Sequence, residues 1–271
     1  MMSKESYKMD MCNGPILQKV IAFSLPLMLS SCLQLLFNAA DVIVVGRFAG
    51  STSLAAVGST TELLSLLTTL FIGFSIGANV NVARTLGNQD DQGTKDGIHT
   101  AVSVSILSGS AMILLGFLFG RPMLQWMGTP ADVIDKASLY LMIIFIGMPS
   151  NMAYNFGSAI LRAMGDTKRP LYFLSAAGVL NVVLNLIFVI VLHMDVAGVA
   201  LATILSETLS AILILNCLCR TDGPCHLNIR KLYIQKDQLI RMLRIGLPAG
   251  IQSGMFSFSN VLIQSSINSF G

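Results

Sequence analysis

Three carboxylates lie well inside long apolar stretches of this sequence: Asp41, Glu62 and Glu207. Ionisable groups at membrane depth cost free energy, so each of these acids is a candidate for a functional role. No Lys or Arg lies deep in an apolar stretch to neutralise them. Removal from water disfavours the charged form of a carboxylate, so such a group can exchange a proton or bind a cation. Two simpler interpretations stay open: Asp41 could sit at a membrane surface, and Glu62 could face water near a helix start.

Helical spacing places these acids beside other polar side chains. Three sets of residues each share one helix face: Gln34, Asn38 and Asp41; Asn181 and Asn185; and Thr203 and Glu207. Polar stripes are disfavoured against lipid, so these faces are predicted to point into a helix bundle. The competing interpretation is simple hydrogen bonding between helices through Asn and Thr side chains. The carboxylate of Asp41 favours a functional role, because an acid is a poor choice for such pairing.

Positions along the helices, at about 1.5 Å per residue, predict that five helices contribute to one polar layer. The predicted members of this layer are Asp41, Glu62, Tyr140, Asn185 and Thr203. Each lies about 6 to 12 Å from the same membrane surface. Amide and hydroxyl oxygens of Asn181, Asn185 and Thr203 are hard ligands that suit a small cation. We therefore expect Asp41 to act as a switch coupled to an ion gradient, with H⁺ or Na⁺ as the ion.

The composition indicates that these residues lie on membrane-spanning helices. The chain has 271 residues, of which 54% are hydrophobic and only 11% charged, and its mean hydropathy is +0.71. Soluble domains carry about 25% charged residues, so a soluble enzyme, a disordered chain and a fibrous repeat are excluded. Apolar stretches occupy residues 16–45, 54–83, 98–119, 133–156, 171–192, 196–219 and 245 to the end. Each can cross a hydrocarbon core of about 30 Å, which predicts an all-α polytopic membrane protein.

Loop charges predict the orientation. All but three of the 17 Lys and Arg residues fall at the start of the chain or in the second, fourth and sixth connections. The exceptions are Arg47, Arg121 and Lys136. By the positive-inside rule the N-terminus is predicted to be cytoplasmic. The first 15 residues are polar and mixed in charge, so no cleavable signal peptide is expected.

The chain is predicted to divide into three parts. Residues 1–219 form a six-helix transmembrane bundle, residues 220–244 a basic cytoplasmic linker, and residues 245–271 the first helix of a second bundle. Aligning Pro26 with Pro248 also aligns Asn38 with Asn260, which indicates a parallel internal repeat after six spans. Within the linker, residues 232–243 are equally compatible with a surface helix and with a solvated segment. Pro26 is predicted to be a hinge, because proline removes a helical hydrogen bond.

Several other site types receive no support. The net charge of +3 is too small to indicate a nucleic-acid partner. The five cysteines have spacings that suit neither a disulfide framework nor a zinc site. We therefore expect no organic cofactor and no structural metal, and the only metal considered is Na⁺ at Asp41, Asn181, Asn185 and Thr203.

Four segments resemble the multidrug and toxic compound extrusion (MATE) transporters. The most specific is ILRAMGDTKRP at 160–170, and FNAADVIVVGRFAGSTSLAAVG at 37–58 is similarly distinctive. GVLNVVLNLIF at 178–188 and GVALATILSE at 198–207 complete the match, so the resemblance covers essentially the whole chain. It implies twelve helices in two six-helix bundles around a V-shaped cavity. It also implies a monomeric multi-pass protein of a bacterial inner membrane, which exports organic cations in exchange for H⁺ or Na⁺.

The resemblance also implies roles for particular residues. An acid on helix one with polar partners on helices five and six corresponds to Asp41, Asn181, Asn185 and Thr203. Tyr140 and Asn155 on helix four are further candidates for the substrate pathway, with Gln34 and Asn38, and Pro26 matches a proline linked to bending of helix one. Some members have Asp where this chain has Asn185, which leaves Asp41 as the main titratable group. Glu62 and Glu207 have no counterpart in the general pattern, and they could attract cationic substrates.

Other functions remain open from the sequence. A flippase of the same superfamily would move lipid-linked saccharides, but the spans lack the basic cluster that a pyrophosphate would need. An intramembrane protease could use Asp41 and Glu207 as paired acids, although no motif supports it. A seven-helix receptor is suggested only by the number of spans and conflicts with the predicted orientation. A transporter of the MATE type needs twelve helices, so we expect these 271 residues alone not to perform alternating access.

Overall fold

The computed structural model describes residues 15–268, which fold into seven long α-helices. They are α1 (Ile16–Phe48), α2 (Ser51–Gly87), α3 (Asp91–Trp126), α4 (Ile134–Ala163), α5 (Lys168–Asn185), α6 (Asp195–Cys219) and α7 (Lys236–Asn268). A π-helical segment, Leu186–Val191, continues α5, and two short 3₁₀ turns, Gly223–Cys225 and Ile229–Lys231, lie between α6 and α7. The charges of Lys4 and Lys8 and the last three residues of the predicted second bundle lie outside the described range.

The predicted polytopic helical fold is confirmed. Within the described residues, six helices are long and apolar enough to cross a membrane, namely α1 to α6, with α5 including its π-helical continuation. The seventh predicted span corresponds to α7, which has the same 33-residue length as α1 and likewise contains an internal proline, Pro248. Its final turns hold Ser, Asn and Gln side chains, so it is more polar than the other six helices.

The two ends of the bundle have different connections. The end that we call the linker end holds the α2–α3 and α4–α5 loops and the segment between α6 and α7. The opposite end holds the α1–α2, α3–α4 and α5–α6 connections. At the linker end, Asp90 caps α3, because its Oδ1 accepts a hydrogen bond of 2.9 Å from the backbone N–H of Gly93.

Helix α4 occupies the centre of the bundle and packs against α2, α3 and α6. One face of α4 is almost completely buried through Leu141, Phe145, Met152, Phe156 and Ile160. Helix α1, in contrast, packs mainly on α5 and exposes most of its apolar side chains. The bundle is therefore densely packed around α4 and open along α1, which is the helix that carries Asp41.

Helices α2 and α7 cross through glycines. A Cβ atom on Gly73 would lie 2.3 Å from the Cα of Gly250, and one on Gly77 would lie 2.1 Å from the carbonyl oxygen of Met242. On the other side, a Cβ on Gly246 would lie 2.8 Å from the carbonyl oxygen of Gly73. Each helix therefore presents two glycines four residues apart, the spacing that lets helix backbones approach closely in membranes.

The segment between α6 and α7 packs on α3 at the linker end. The Tyr233 ring stacks on His99, with centroids 5.2 Å apart, and its hydroxyl donates to Asp96 over 2.5 Å. His99 Nε2 in turn accepts the backbone N–H of Asn228 at 3.2 Å. Partial burial, reinforced by the neighbouring Asp96 carboxylate, raises the pKa of Tyr233 to about 12. The hydroxyl therefore remains a hydrogen-bond donor at neutral pH.

The boundary of the predicted linker differs from the structure. Helix α7 begins at Lys236 rather than at residue 245. Gln238 and Met242 of its first turns are buried, and Gln238 Oε1 accepts a hydrogen bond of 2.7 Å from Asn81 of α2. Neither a separate surface helix over 232–243 nor a fully solvated segment describes this region. Hydropathy misplaced the start of α7, because these turns carry charges on one face and pack on the bundle with the other.

Candidate functional site

A cavity of about 110 Å³ lies inside the bundle between α1, α4, α5 and α6. Polar side chains from all four helices line it, and two of them are carboxylates. The lining consists of Gln34, Phe37, Asn38, Asp41, Asn151, Tyr154, Asn155, Leu174, Ala177, Gly178, Asn181, Thr203, Ser206, Glu207 and Ser210. Lys and Arg are absent from this lining, so its formal charge is negative.

Asp41 is linked to α5 and α6 by a chain of hydrogen bonds. The Asn185 Nδ2 donates to Asp41 Oδ1 at 2.5 Å and also to Asn181 Oδ1 at 3.1 Å. Asn181 Nδ2 lies 3.5 Å from Thr203 Oγ1, and that hydroxyl donates to the Val199 carbonyl. The structure thus brings together the four residues predicted for ion coupling.

One oxygen in this network has no hydrogen-bond partner. Asn185 is 1% exposed, and its Oδ1 is a buried acceptor that no described residue satisfies. A buried unsatisfied acceptor costs free energy, about 1–3 kcal/mol. Together with the Asp41 carboxylate and the Thr203 hydroxyl, it adds an oxygen of the type that binds a small hard cation or a proton-bearing group.

The second carboxylate of the cavity is held by a separate amide pair on α4. Asn151 Nδ2 donates to Glu207 Oε1 at 2.8 Å, and Asn155 Nδ2 donates to Asn151 Oδ1 at 2.9 Å. Asp41 and Glu207 therefore belong to one cavity, and each accepts a hydrogen bond from an asparagine. This arrangement stabilises negative charge at two positions of the lining.

A glycine brings α1 against α5 at the depth of the site. A Cβ atom on Gly178 would lie 1.9 Å from Cε2 of Phe37, so the Phe37 ring occupies the space that any other residue would fill. Phe37 precedes Asp41 by four residues, and Gly178 precedes Asn185 by seven, so both pairs share a helix face. The close contact thereby places Asp41 within reach of Asn185.

The end of α5 coincides with the site. Asn185 is the last residue of the α-helical part, and the π-helical segment Leu186–Val191 begins immediately after it. Single turns of π-helix inside α-helices occur frequently at functional sites.

The predicted substrate-pathway residues separate into two groups. Gln34, Asn38, Asn155 and Glu207 line the cavity with Asp41. Glu62 and Tyr140 are not in the lining: Glu62 lies on α2, and Tyr140 is buried on α4, close enough to Asp41 and Glu207 to interact with both carboxylates electrostatically. Of the layer predicted from depth, Glu62 is therefore outside the cavity lining, because residues at equal depth can lie on different faces of their helices. Pro26 is buried in α1 outside the cavity, and its carbonyl accepts a bond of 2.8 Å from Ser30.

Sequence reasoning missed part of the lining. Asn151, Tyr154, Ser206 and Ser210 line the cavity but were not predicted. The signal for Asn151 was present, because it lies four residues before Asn155 on the same helix face. Ser206 and Ser210 share that spacing on α6, but serine is so common in membrane helices that spacing alone would not distinguish them.

The sequence of the helices that form much of this site matches a known family. A sequence model of the MatE family matches residues 26–187, which is more than half of the chain. This chain belongs to the MatE family. The matched range contains α1 from Pro26 onward, and it extends to the start of the π-helical segment that follows α5.

Two named relatives illustrate the similarity of this MatE chain. The probable multidrug resistance protein YpnP of Bacillus subtilis is 31% identical over 266 residues, covering 97% of this chain and 58% of the relative. The multidrug export protein MepA of Staphylococcus aureus (strain NCTC 8325) is 23% identical over 258 residues, covering 95% and 57%. The chain thus spans slightly more than half the length of the curated relatives it matches.

Solved structures of the family share the fold. A crystal structure of MATE in the bent conformation matches with a TM-score of 0.81 and 27% identity, covering 88% of this chain and 53% of that one. An outward-facing multidrug resistance MATE transporter of the MOP superfamily matches with a TM-score of 0.79 and 27% identity, covering 87% and 52%. Both likenesses support the arrangement of the MatE helices around the cavity.

Proposed function

We propose that this chain forms the ion-coupling half of a secondary active multidrug exporter, which moves cationic or amphipathic drugs out of the cell in exchange for H⁺ or Na⁺. The main support for the proposal is the position of the Asp41 carboxylate. It accepts a hydrogen bond from Asn185 and lines a cavity whose described lining has no Lys or Arg. The names of YpnP and MepA, both multidrug proteins, support the same reading.

The coupling step is proposed at Asp41. In the present arrangement the Asn185 amide nitrogen donates to the Asp41 carboxylate, and the Asn185 oxygen has no partner among the described residues. Rotation of this amide by half a turn would present the oxygen instead. That oxygen could then accept a hydrogen bond from protonated Asp41 or, with Asn181 and Thr203, ligate Na⁺. Either event removes the charge of the carboxylate and changes the bond between α1 and α5.

Substrate attraction is proposed to involve both carboxylates. Asp41 and Glu207 line the same cavity, and opposite charge steers cations toward a site and favours their binding. The alternative function, a flippase, would carry a saccharide linked to a pyrophosphate. The described lining holds no basic residue to bind that pyrophosphate, which disfavours the flippase. Asp41 accepts its hydrogen bond from Asn185, and Glu207 accepts one from Asn151. The two acids are therefore not bonded to each other, as the paired acids of an intramembrane protease would be.

The proposed cycle needs the linker end to face the cytoplasm, in agreement with the positive-inside rule. It also needs a second bundle, which the relatives' greater length provides. We propose that the complete transporter is a monomer in the cell membrane and that residues 15–268 supply its ion site.

The experiment is drug accumulation in cells that carry the full-length protein, measured with and without ionophores selective for H⁺ or Na⁺. Asp41→Asn is expected to abolish ion-driven export while leaving membrane insertion intact. The matched control is Asp135→Asn, since Asp135 is an exposed acid at the opposite end, 2.9 Å from Arg121. Undiminished export by the Asp41 variant would disprove the coupling role. The ionophore that collapses export identifies the ion.

A further inference from the structure

A second cavity, of about 210 Å³, lies nearer the linker end between α1, α2 and α4. It shares no lining residue with the cavity around Asp41. Phe23 and Leu27 of α1 form an apolar wall, Ser75, Ile76 and Asn79 contribute from α2, and Arg162 contributes from the last turn of α4. The combination of one cation with an apolar wall distinguishes it from the negatively charged site.

The guanidinium of Arg162 is incompletely satisfied. One of its Nη atoms donates to Ser158 Oγ at 3.2 Å, whereas Nε is buried and has no hydrogen-bond partner in the described part of the chain. Asp and Glu are absent from the lining of this cavity. A buried donor on a charged group costs free energy when it lacks an acceptor, so an anion in the cavity would be stabilised.

The other polar residues of the cavity each donate a hydrogen bond to a backbone carbonyl. Asn79 Nδ2 donates to the Ala159 carbonyl at 2.7 Å, and Ser75 Oγ donates to the Ile72 carbonyl at 2.7 Å. Arg162 supplies the positive charge of the lining together with an unsatisfied N–H, and the second N–H of the Asn79 amide could add a further donor. Guanidinium groups match phosphate oxygens well in charge and geometry.

The cavity is open at its rim rather than enclosed. Ile76 is 42% exposed at its rim, and the neighbouring α1 residues Leu25 and Met28 are 56% and 64% exposed. Arg162 lies one residue from the end of α4, at the end of the bundle that carries most of the basic residues. This places the cation near the level of lipid headgroups and the apolar wall deeper, along the acyl chains.

We propose that this cavity binds one anionic phospholipid from the leaflet at the linker end. Its phosphate would lie against Arg162, and its acyl chain would run along Phe23, Leu27 and Ile76. Basic pockets between transmembrane helices are the sites where acidic lipid headgroups bind. The lipid would fill the gap between α1 and α2, two helices that make little contact with each other.

The test is native mass spectrometry of the purified full-length protein with phosphatidylglycerol and, separately, with phosphatidylcholine of identical acyl chains. The wild type is expected to retain one phosphatidylglycerol at least tenfold more tightly than phosphatidylcholine. Arg162→Gln is expected to weaken that retention by about tenfold, the effect of losing one charge-assisted hydrogen bond. Arg162→Lys is expected to keep most of it. Arg84→Gln, which removes an exposed charge from the last turn of α2 at the same end, should change it less than twofold.

Three outcomes would overturn the proposal. Equal losses in Arg162→Gln and Arg84→Gln would indicate diffuse surface charge. Equal retention of both lipids would remove the role of the anionic headgroup. Displacement by glycerol phosphate at matched concentration would show a site for a soluble anion instead of a lipid.

Ile76→Trp narrows the cavity at its half-exposed rim without changing charge, so it should weaken lipid binding even if Arg162→Gln misfolds. Gel filtration and circular dichroism monitor the fold of each variant.

Discussion

The side-chain amide of Asn185 donates a hydrogen bond of 2.5 Å to the carboxylate of Asp41, and so joins α5 to α1 across 144 positions of sequence. The same amide nitrogen also donates to Asn181. A change in the charge of Asp41 therefore alters the partner of an asparagine that is almost fully buried. The ion site and the packing of α1 on α5 are two aspects of one contact.

Removing this amide should impair the response to the ion. In Asn185→Leu the side chain keeps a similar volume but can neither donate to Asp41 nor offer its oxygen to a cation. We expect at least a tenfold loss of ion affinity, because one or more hydrogen bonds to a charged group are lost. The measurement is the shift in melting temperature of the purified chain on titration with Na⁺ or with acid. Asn88→Leu, at an exposed asparagine that follows α2, is the control. An unchanged shift in the Asn185 variant would separate this residue from ion binding.

Neutralising Glu207 should weaken the binding of cationic ligands. Glu207→Gln keeps an oxygen that can accept the hydrogen bond from Asn151 but removes the negative charge. The affinity for a monocationic dye is expected to fall about five- to tenfold, while that for an uncharged dye of similar size stays constant. Fluorescence titration of the full-length protein measures both. Glu62→Gln is the matched control, since Glu62 lies on α2 away from the cavity lining. A similar loss in both variants would argue for a long-range charge effect.

A methyl group at Gly178 should separate α1 from α5. The added Cβ would lie within 2.0 Å of two ring atoms of Phe37, which must move. We expect Gly178→Ala to reduce the free energy of unfolding by about 1–3 kcal/mol, as for other overpacked sites, and to diminish the ion response. Gly58→Ala has open space around the new methyl group, so it should be neutral or slightly stabilising. Thermal unfolding in detergent compares the two.

The contact between Gly178 and Phe37 can be tested further by a double substitution. Combining Gly178→Ala with Phe37→Leu should recover part of the stability and of the ion response, since the smaller side chain makes room. Additive losses in the double variant would show that the two residues do not act through their contact.

A side chain at the α2–α7 crossing should loosen α7. In Gly77→Ala the new methyl group would meet the Met242 carbonyl at 2.1 Å, and backbone cannot yield as a side chain can. We expect faster proteolysis of the segment between α6 and α7 and a loss of about 2 kcal/mol or more in stability. Gly254→Ala on α7 meets nothing within 4 Å and should behave as the wild type. Equal proteolysis rates for both variants would show that the crossing does not hold α7 in place.

The sequence predicts those parts of the site that depend on one helix at a time. Spacing along single helices identified Asp41, Asn181, Asn185 and Thr203, since residues four apart share a face. It does not give the rotation of a helix against its neighbours, and Glu62 is accordingly absent from the cavity lining. Counting residues gives the depth of a side chain in the membrane but not the direction in which it points.

Other features depend on the space between helices and leave little trace in a hydropathy profile. Helix α7 begins at Lys236, and its first turns pack on α2 through Gln238. A hydropathy profile assigns these turns to a loop, because they carry several charged residues. The cavity beside Arg162 is formed by side chains from three helices, so no single stretch of sequence shows it. In the sequence alone, Arg162 cannot be distinguished from the other basic residues at helix ends.

The glycine-lined crossing also bears on how the protein is made. The surface of α2 that receives α7 belongs to a segment synthesised about 170 residues earlier, so it leaves the ribosome before Gly246 and Gly250. The contact runs between backbones, so α2 itself supplies the surface on which α7 packs. A newly made chain can thus use its first six helices as a template, with the seventh captured as it enters the bilayer.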